Sequence, residues 1–164
     1  MKPSLYLETT IPSYLAARMS SHIITAGKQL VTRDFWEEER HKYNLFVSDF
    51  VRRECGRGDK DVAERRLDFI NGITTLENTP DVDPLADEYM RLLSIPPSKR
   101  IDALHLAMCC VHKMNILLSW NCSHLGAESM QIAQKHNDAH GLFTPRMITP
   151  DALVKKYEEV NLDE

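Results

Sequence analysis

The chain has 164 residues, of which 43% are hydrophobic and 27% are charged, and its formal net charge at pH 7 is −4. This length is typical of one domain, assigned to residues 1–164, and it allows a buried core without disulfide bonds. The negative charge excludes a protein that coats nucleic acid through a global basic field, but it is compatible with local contacts to RNA. No apolar run approaches the ~18 residues that a membrane span requires, so no contact with a membrane is expected.

The N-terminal segment and the cysteines both indicate a cytoplasmic protein. Glu8 interrupts the N-terminal segment before the apolar region of a signal peptide could form. Without a secretory signal, the four cysteines are predicted to be reduced thiols. They are Cys55, Cys109, Cys110 and Cys122.

Short apolar segments alternate along the chain with longer segments of helical periodicity. Strands are predicted at residues 4–7, 45–47, 73–76 and 116–119, and a last strand at either 142–143 or 146–148. Helices are predicted at residues 10–19, 22–43, 49–55, 59–71, 81–93, 99–114 and 127–140, with one more after 149. Short apolar strands of this kind are typical of parallel sheets that helices cover on both faces. We therefore predict an α/β protein with three layers and a mostly parallel sheet of four or five strands.

Residues that suit helix N-caps precede several of the predicted helices. Thr9 or Thr10 precedes the first helix, Ser48 or Asp49 follows the second strand, and Ser98 precedes the helix at 99–114. Side-chain oxygens of these residue types accept hydrogen bonds from the N–H groups of the first helical turn. We therefore expect each of these helices to begin with a side-chain cap.

Acidic residues lie where the predicted strands give way to helices. Glu8 follows the first strand, Glu54 lies one turn into the helix after the second, and Asp102 begins a long apolar helix. Asn121 follows the fourth strand. In parallel α/β folds, ligands bind beyond the carboxyl ends of the strands. Oxygen ligands suit Mg²⁺, and a cation held by carboxylates can bind a phosphate oxygen and lower the pKa of a water molecule. This pattern predicts a metal site that hydrolyses phosphodiesters.

Each of these acids also has a purely structural interpretation. Asp102 can favour the dipole of its helix, Glu54 can be a solvated helix residue, and Glu8 can be a charged strand end. Only the combination of the three favours a site. His105 lies three residues after Asp102, on the same helical face. We interpret it as a supporting residue that bonds an acid, with a role as catalytic acid or base as the alternative.

Several blocks of sequence around the acids resemble those of a known family. In order, the blocks have an acid followed by two threonines, a Ser before an acid, an Asp-Ala-x-His-x-Ala helix, a strand followed by Trp-Asn, and a closing strand and helix. They occupy residues 5–15, 47–54, 102–107, 117–125 and 148–153. Together they resemble the PIN-domain family, and within it the VapC-type toxin ribonucleases of type II toxin–antitoxin systems.

The resemblance implies a single-strand endoribonuclease with a parallel sheet flanked by helices. Glu8, Glu54 and Asp102 would hold Mg²⁺ or Mn²⁺, and Asn121 would complete the catalytic set. The products would carry a 5′-phosphate and a 3′-hydroxyl. The family also implies a homodimer and an antitoxin protein as a partner. Ser48, like His105, would support the site.

Two positions depart from the family pattern. Glu8 stands where Asp is usual, and its longer side chain requires the metal or the backbone to shift. Asn121 stands where Asp is common, and its carbonyl oxygen brings no charge. One fewer charge weakens a second metal more than a first, so we expect one well-held ion and a second that arrives only with RNA.

Other side chains are assigned to substrate contact. Thr9 and Thr10 lie at a helix start, where N–H groups favour anions, and they are expected to bind water or phosphate. Arg52 and His124 are assigned to contact with the RNA substrate. For His124, capping of its loop is the alternative. Arg52 belongs to a basic run that could bind RNA phosphates, bind an acidic partner or simply be a solvated face. The run comprises Arg52, Arg53, Arg57, Lys60, Arg65 and Arg66.

Two alternatives to the nuclease are kept. A zinc site could be built from His105, Cys109, Cys122 and His124, although their spacing matches no standard zinc pattern. The second alternative is a PIN domain that binds RNA or a protein without cleaving, for which Glu8 and Asn121 are the reason. Asp102→Asn, assayed for cleavage of RNA, separates the nuclease from the binding module.

Overall fold

Five short strands form a parallel sheet at the centre of the computed structural model, which describes residues 1–121 and 123–157. Their order across the sheet is β3-β2-β1-β4-β5, and all four pairings are parallel. The strands are β1 (Ser4–Leu7), β2 (Asn44–Ser48), β3 (Thr74–Leu76), β4 (Ile116–Leu118) and β5 (Arg146–Ile148). The α/β prediction is confirmed, and the second of the two candidate positions for the last strand is the one observed.

Seven α-helices flank this sheet in the part of the chain that the structure describes. They are α1 (Thr10–Ala16), α2 (Ile23–Asp34), α3 (Asp49–Cys55), α4 (Lys60–Phe69), α5 (Val82–Leu92), α6 (Arg100–Val111) and α7 (Ala127–His140). The architecture is consistent with a three-layer PIN-like fold. None of the described helices is long and apolar enough to cross a lipid bilayer.

The core is centred on β1 and α6. Leu5, Tyr6 and Leu7 have no exposed surface, because β1 has a strand on each side and helices on both faces. In α6 every residue from Asp102 to Cys110 is buried, as its all-round apolar composition predicts. A polar group on either element is therefore shielded from water and needs a partner within the protein.

Three helix predictions are corrected. The predicted helix at 22–43 is α2 followed by a π-helical turn, Phe35–Glu39, and a 3₁₀ turn, Arg40–Lys42. Ser98 caps nothing, because Pro97 begins a 3₁₀ turn and α6 starts only at Arg100. As far as residue 157, where the described part of the chain stops, the helix predicted after 149 is two 3₁₀ turns, at Pro150–Leu153 and Lys155–Tyr157.

The order of the strands creates a crevice beside β1. The chain runs from β1 outward to β2 and β3, and it then returns to the other side of β1 for β4 and β5. In open parallel sheets, ligands bind at such a switch point, beyond the carboxyl ends of the strands. Here that point lies between the ends of β1 and β4, at Leu7 and Leu118, which are paired in register.

Candidate functional site

Polar residues follow directly after β1 and β4 at the switch point. The backbone N–H of Glu8 donates to Leu118 O at 3.1 Å, which extends the pairing of the two strands by one residue. Ser119 N–H donates to Ile148 O at 3.2 Å in the same way toward β5. Glu8 and Ser119 therefore meet at the mouth of the crevice.

Glu8 is 8% exposed, and one oxygen of its carboxylate accepts several hydrogen bonds. Its Oε2 accepts from Ser119 Oγ at 2.7 Å, from Thr10 N–H at 3.0 Å and from the Thr10 hydroxyl. These bonds give the buried oxygen the partners that a polar atom shielded from water requires. Glu8 thus caps α1 itself. Neither Thr9 nor Thr10 provides the side-chain cap that their residue type suggested, since their hydroxyls serve the acids instead.

Glu54 projects from α3 toward the same place. Its Oε1 accepts from Thr9 Oγ1 at 2.6 Å and bonds His105 Nε2 at 3.0 Å. Burial by itself would raise the pKa of the Glu54 carboxyl, but the hydrogen bonds from His105 and Thr9 and nearby positive charge hold it below its ordinary value. Glu54 is therefore ionised at neutral pH.

Behind Glu54 lies a buried chain of hydrogen bonds. His105 Nδ1 bonds Tyr6 Oη at 2.6 Å, Tyr6 Oη bonds Ser48 Oγ at 2.7 Å, and Ser48 Oγ accepts from Val51 N–H at 3.3 Å. A carboxylate only accepts, so the Nε2–H of His105 donates to Glu54. In the tautomer with no proton on Nδ1, Tyr6 donates to Nδ1 and Ser48 donates to Tyr6. Each group in this arrangement has a partner, and Ser48 is also the α3 N-cap that the sequence predicted.

Asp102 lies on the other side of the crevice, in the first turn of α6. It is 6% exposed, its Oδ2 is 3.0 Å from His124 Nδ1, and its Oδ1 accepts from Asn121 Nδ2 at 3.4 Å. The Asn121 backbone N–H donates to Ser119 Oγ at 2.8 Å, and the Asn121 amide oxygen accepts from Ser123 Oγ at 3.4 Å. In this orientation Asn121 presents a donor, not a carbonyl ligand, to Asp102.

Hydroxyl groups and the adjacency of two threonines connect the three acids. Thr10 contacts Glu8, and its neighbour Thr9 contacts Glu54. The hydroxyl of Ser119 contacts Glu8 and also Asn121, and Asn121 in turn contacts Asp102. Hydrogen bonds thus link Glu8 to Asp102, and Glu54 joins them through the Thr9–Thr10 backbone; this set of residues is here called the acid network. It comprises Glu8, Thr9, Thr10, Glu54, Asp102, His105, Ser119, Asn121 and His124.

The donor chemistry of the acid network fits Mg²⁺ or Mn²⁺. Its carboxylates are hard oxygen donors, and Mg²⁺ keeps several waters and commonly takes only one or two carboxylates from the protein. Among the described residues no three His, Cys, Asp or Glu side chains stand together ready to hold an ion. The assignment of Glu8, Glu54 and Asp102 as metal ligands stays a prediction, and each would have to turn a bonded oxygen toward the metal or use a free one.

The zinc alternative finds no support among the described residues. Both ring nitrogens of His105 are taken, by Tyr6 and by Glu54. Burial raises the pKa of the Cys109 thiol well above its ordinary value, so this cysteine is protonated and is not the thiolate that zinc requires. Cys122 lies outside the described residues.

Arg52, assigned to RNA from the sequence, is held against the protein. Its Nε donates to Thr75 Oγ1 at 2.6 Å, and its Nη2 donates to Ile73 O at 2.7 Å. The guanidinium thus fastens α3 to the start of β3. A role of Arg52 in RNA binding stays a prediction, whereas its hydrogen bonds between α3 and the start of β3 are observed.

Two residues of the site were missed by sequence reasoning. Ser119 directly follows β4 as Glu8 follows β1, so its position after a strand was a usable signal. Tyr6 lies among apolar residues of β1, and a hydroxyl group in a fully buried strand has to find a partner. Which partner it finds depends on β2 and α6, and no local pattern indicates that.

Comparison of the chain with protein-family models gave no match. Comparisons with curated proteins and with solved structures gave none either. The PIN-domain resemblance therefore rests on the sequence blocks alone, and membership of that family stays a prediction.

Proposed function

We propose that the chain is a metal-dependent endoribonuclease of the PIN type, which hydrolyses phosphodiester bonds of single-stranded or structured RNA in the cytoplasm. The observation that carries the proposal is the acid network. Three carboxylates from three separate segments border the switch point of a parallel sheet, and each has hydrogen-bond partners within the protein. Carboxylates are costly to bury, so buried ones gathered in one place are more often found at functional sites.

Each part of the network has a task in this proposal. Glu8, Glu54 and Asp102 would present negative oxygens to Mg²⁺ or Mn²⁺. The bound ion would supply positive charge for the phosphate oxygens and for activation of the attacking water. His105 orients Glu54 from the buried side and Ser119 orients Glu8, so two of the acids are fixed before substrate arrives. Asn121 and His124 stand beside the third acid, where they can contact RNA or water.

The resemblance also supports a role as the toxin of a toxin–antitoxin pair, with an antitoxin protein and a second copy of the chain as partners. Ile23 and Ile24, at the start of α2, are 84% and 63% exposed. Neighbouring large apolar side chains on a surface favour contact with another protein. This feature supports a protein partner in general, and it does not distinguish an antitoxin from a second copy.

A second candidate function is a binding module that does not cleave. It is favoured by the bonding of Glu8, whose Oε2 already accepts three hydrogen bonds, and by Asn121, which turns its amide nitrogen toward Asp102. Both features would have to change for these residues to bind metal. A domain of this kind would bind RNA or a protein through the same surface without hydrolysis.

The test is cleavage of end-labelled single-stranded RNA in Mn²⁺, in Mg²⁺ and in EDTA. We expect metal-dependent cleavage that falls by at least about 100-fold in Asp102→Asn, since loss of a group that only supports a metal ligand already costs about 10–100-fold. Asp138→Asn is the matched control, because Asp138 is exposed on α7 and takes no part in the acid network. It should cleave like wild type.

Two outcomes contradict the proposal. Equal cleavage by wild type and Asp102→Asn identifies a contaminating nuclease. Absence of cleavage in every metal, with RNA binding retained, favours the binding module instead. Glu8→Gln and Glu54→Gln complete the series, and a nuclease requires that both lower the rate without loss of the folded structure.

A further inference from the structure

The basic run near α3 and α4 divides into two kinds of side chain. Arg52 donates to Ile73 O, Arg65 Nε donates to Ala16 O at 3.1 Å, and Arg66 Nε donates to Cys55 O at 3.0 Å. These three guanidinium groups bind backbone carbonyls of other segments. These hydrogen bonds hold the helices against neighbouring segments, so the three groups are not free to bind a ligand.

Arg53 and Arg57 are of the other kind. They lie four residues apart, at the end of α3 and just beyond it, and both are exposed. Neither side chain forms an ion pair or a hydrogen bond with a described residue. The guanidinium of Arg53 lies over the ring of Phe50, 5.3 Å from its centroid, which restricts its orientation while leaving its N–H groups open.

The two arginines line one cavity together with Glu54. The cavity has a volume of about 560 Å³ and lies between the end of α3 and the start of α6. Arg100 forms part of its wall, but its charge is neutralised by Asp83 at 3.1 Å and by Asp87 at 2.9 Å. The positive charge of this cavity, here called the α3 cavity, that no ion pair holds belongs to Arg53 and Arg57, and the Glu54 carboxylate is the negative charge that lines the cavity with them.

We propose that the α3 cavity is an RNA subsite in which Arg53 and Arg57 bind a backbone phosphate of the strand next to the bond that is cut. This inference rests on the proposed nuclease function, and it names the substrate contact of the same site. Guanidinium groups bind phosphate oxygens through two parallel N–H bonds, and they suit this ligand better than a lysine does. A volume of about 560 Å³ also has room for a nucleotide, since ligand sites typically occupy about 300–1,000 Å³.

Glu54 connects the subsite to the reaction. It lines the α3 cavity, and it is also bonded to Thr9 and His105 in the acid network. A strand whose phosphate is held by Arg53 and Arg57 therefore passes directly beside Glu54. The chemistry of those acids, which suits phosphodiesters, favours RNA over an acidic peptide as the occupant.

The experiment measures the affinity for a fluorescently labelled oligouridylate by anisotropy, in EDTA, over a series of salt concentrations. Arg53→Gln and Arg57→Gln are compared with Lys60→Gln, since Lys60 is exposed in the same basic run and does not line the cavity. We expect each arginine variant to bind roughly 10-fold more weakly at low salt, as removal of a charged hydrogen bond predicts. The slope of log Kd against log salt should fall by about 0.7 for each phosphate that the variant no longer neutralises, with no change in Lys60→Gln.

The result separates this inference from the nuclease proposal, because EDTA removes any need for cleavage. Weaker binding by the arginine variants supports the subsite even if the protein cuts no RNA. Equal slopes for all three variants, or no RNA binding by wild type, overturn it. A labelled polyglutamate peptide is measured in parallel. A loss of affinity for this peptide that matches or exceeds the loss for RNA would show that the cavity serves an acidic protein, which also overturns the inference.

Discussion

Two histidine–acid pairs flank the crevice. The histidine is the more buried partner in one pair, and the acid is the more buried partner in the other. Both pairs are 3.0 Å apart. Measured on the side chains alone, His105 is 3% exposed and Glu54 25% in the first pair, whereas His124 is 26% exposed and Asp102 7% in the second. His105 thus holds its acid from inside the protein, and His124 covers its acid from outside.

The bonds around the two pairs differ in the same sense. Around Glu54, the bonds from Thr9 to Glu54 and between Tyr6 and His105 are both 2.6 Å. Around Asp102, the bond from Asn121 is 3.4 Å. Short bonds hold side chains in one geometry, whereas a long bond to a partly exposed group exchanges more readily with water. Glu54 therefore stands on a preorganised side of the site and Asp102 on an adaptable one, where a metal or substrate can displace the covering groups.

The largest effect on stability is expected from a substitution on the preorganised side. His105→Ala leaves the hydroxyl of Tyr6 and one bond of Glu54 without a partner and also opens a buried cavity. We expect the free energy of unfolding to fall by about 2–4 kcal/mol, measured by urea denaturation. A loss below that of His124→Ala would contradict the difference between the two sides.

A sharper change removes one hydroxyl group. Tyr6→Phe keeps the ring packed near His105 but leaves His105 Nδ1 without its hydrogen-bond partner, which should cost about 1–3 kcal/mol in urea denaturation. The nitrogen NMR signal of Nδ1 should also shift, because that atom loses its hydrogen bond, and a purely steric effect would not move it. Tyr14→Phe is the control, since no hydrogen bond of its hydroxyl is found among the described residues, and it should change neither quantity.

Acidification tests the charge of Glu54. Its pKa is lowered in the folded state, so the folded protein binds fewer protons there than the unfolded chain does. The stabilisation is complete above the ordinary value of 4.5 and is lost as the pH falls through the lower pKa of the folded state. Thr9→Val removes one cause of the shift, so its stability in EDTA should fall less steeply below pH 4.5 than that of wild type.

The control for this pH dependence is Thr74→Val. Thr74 is exposed on β3, and its hydroxyl bonds no described side chain. Its stability should follow the wild-type pH profile. A profile of Thr9→Val that coincides with wild type would mean that Thr9 does not contribute to the ionised state of Glu54.

The smallest expected effect concerns the adaptable side. His124→Ala removes a partly exposed contact with Asp102, and partly exposed pairs contribute only about 0–1 kcal/mol. We expect a loss of under about 1 kcal/mol in urea denaturation. His41→Ala, at an exposed position of the 3₁₀ turn Arg40–Lys42, serves as the reference for removal of a surface imidazole. A loss as large as that of His105→Ala would place His124 in the rigid part of the site.

Local patterns in the sequence determined much of the fold. β1 was predicted at 4–7 and α7 at 127–140, with Gly141 as its end, and both are observed with these bounds. A continuous apolar run predicts a strand covered on both faces, and Gly141 adopts the left-handed conformation that ends a helix, with φ of 66°. The positions of three acids at element ends followed from the same reasoning, because the side of the sheet on which ligands bind is a property of parallel topology.

Only the tertiary structure decided how those acids are held and which arginines are free. Arg52 and Arg53 are neighbours in sequence, yet one donates to Ile73 O and the other has an open guanidinium over Phe50. Likewise, Tyr6 and His105 are 99 residues apart and meet only because β1 and α6 pack together in the core. The physical reason is that hydrogen-bond partners and ion pairs depend on distances between segments remote in the chain. Composition and periodicity report only which face of each segment is buried.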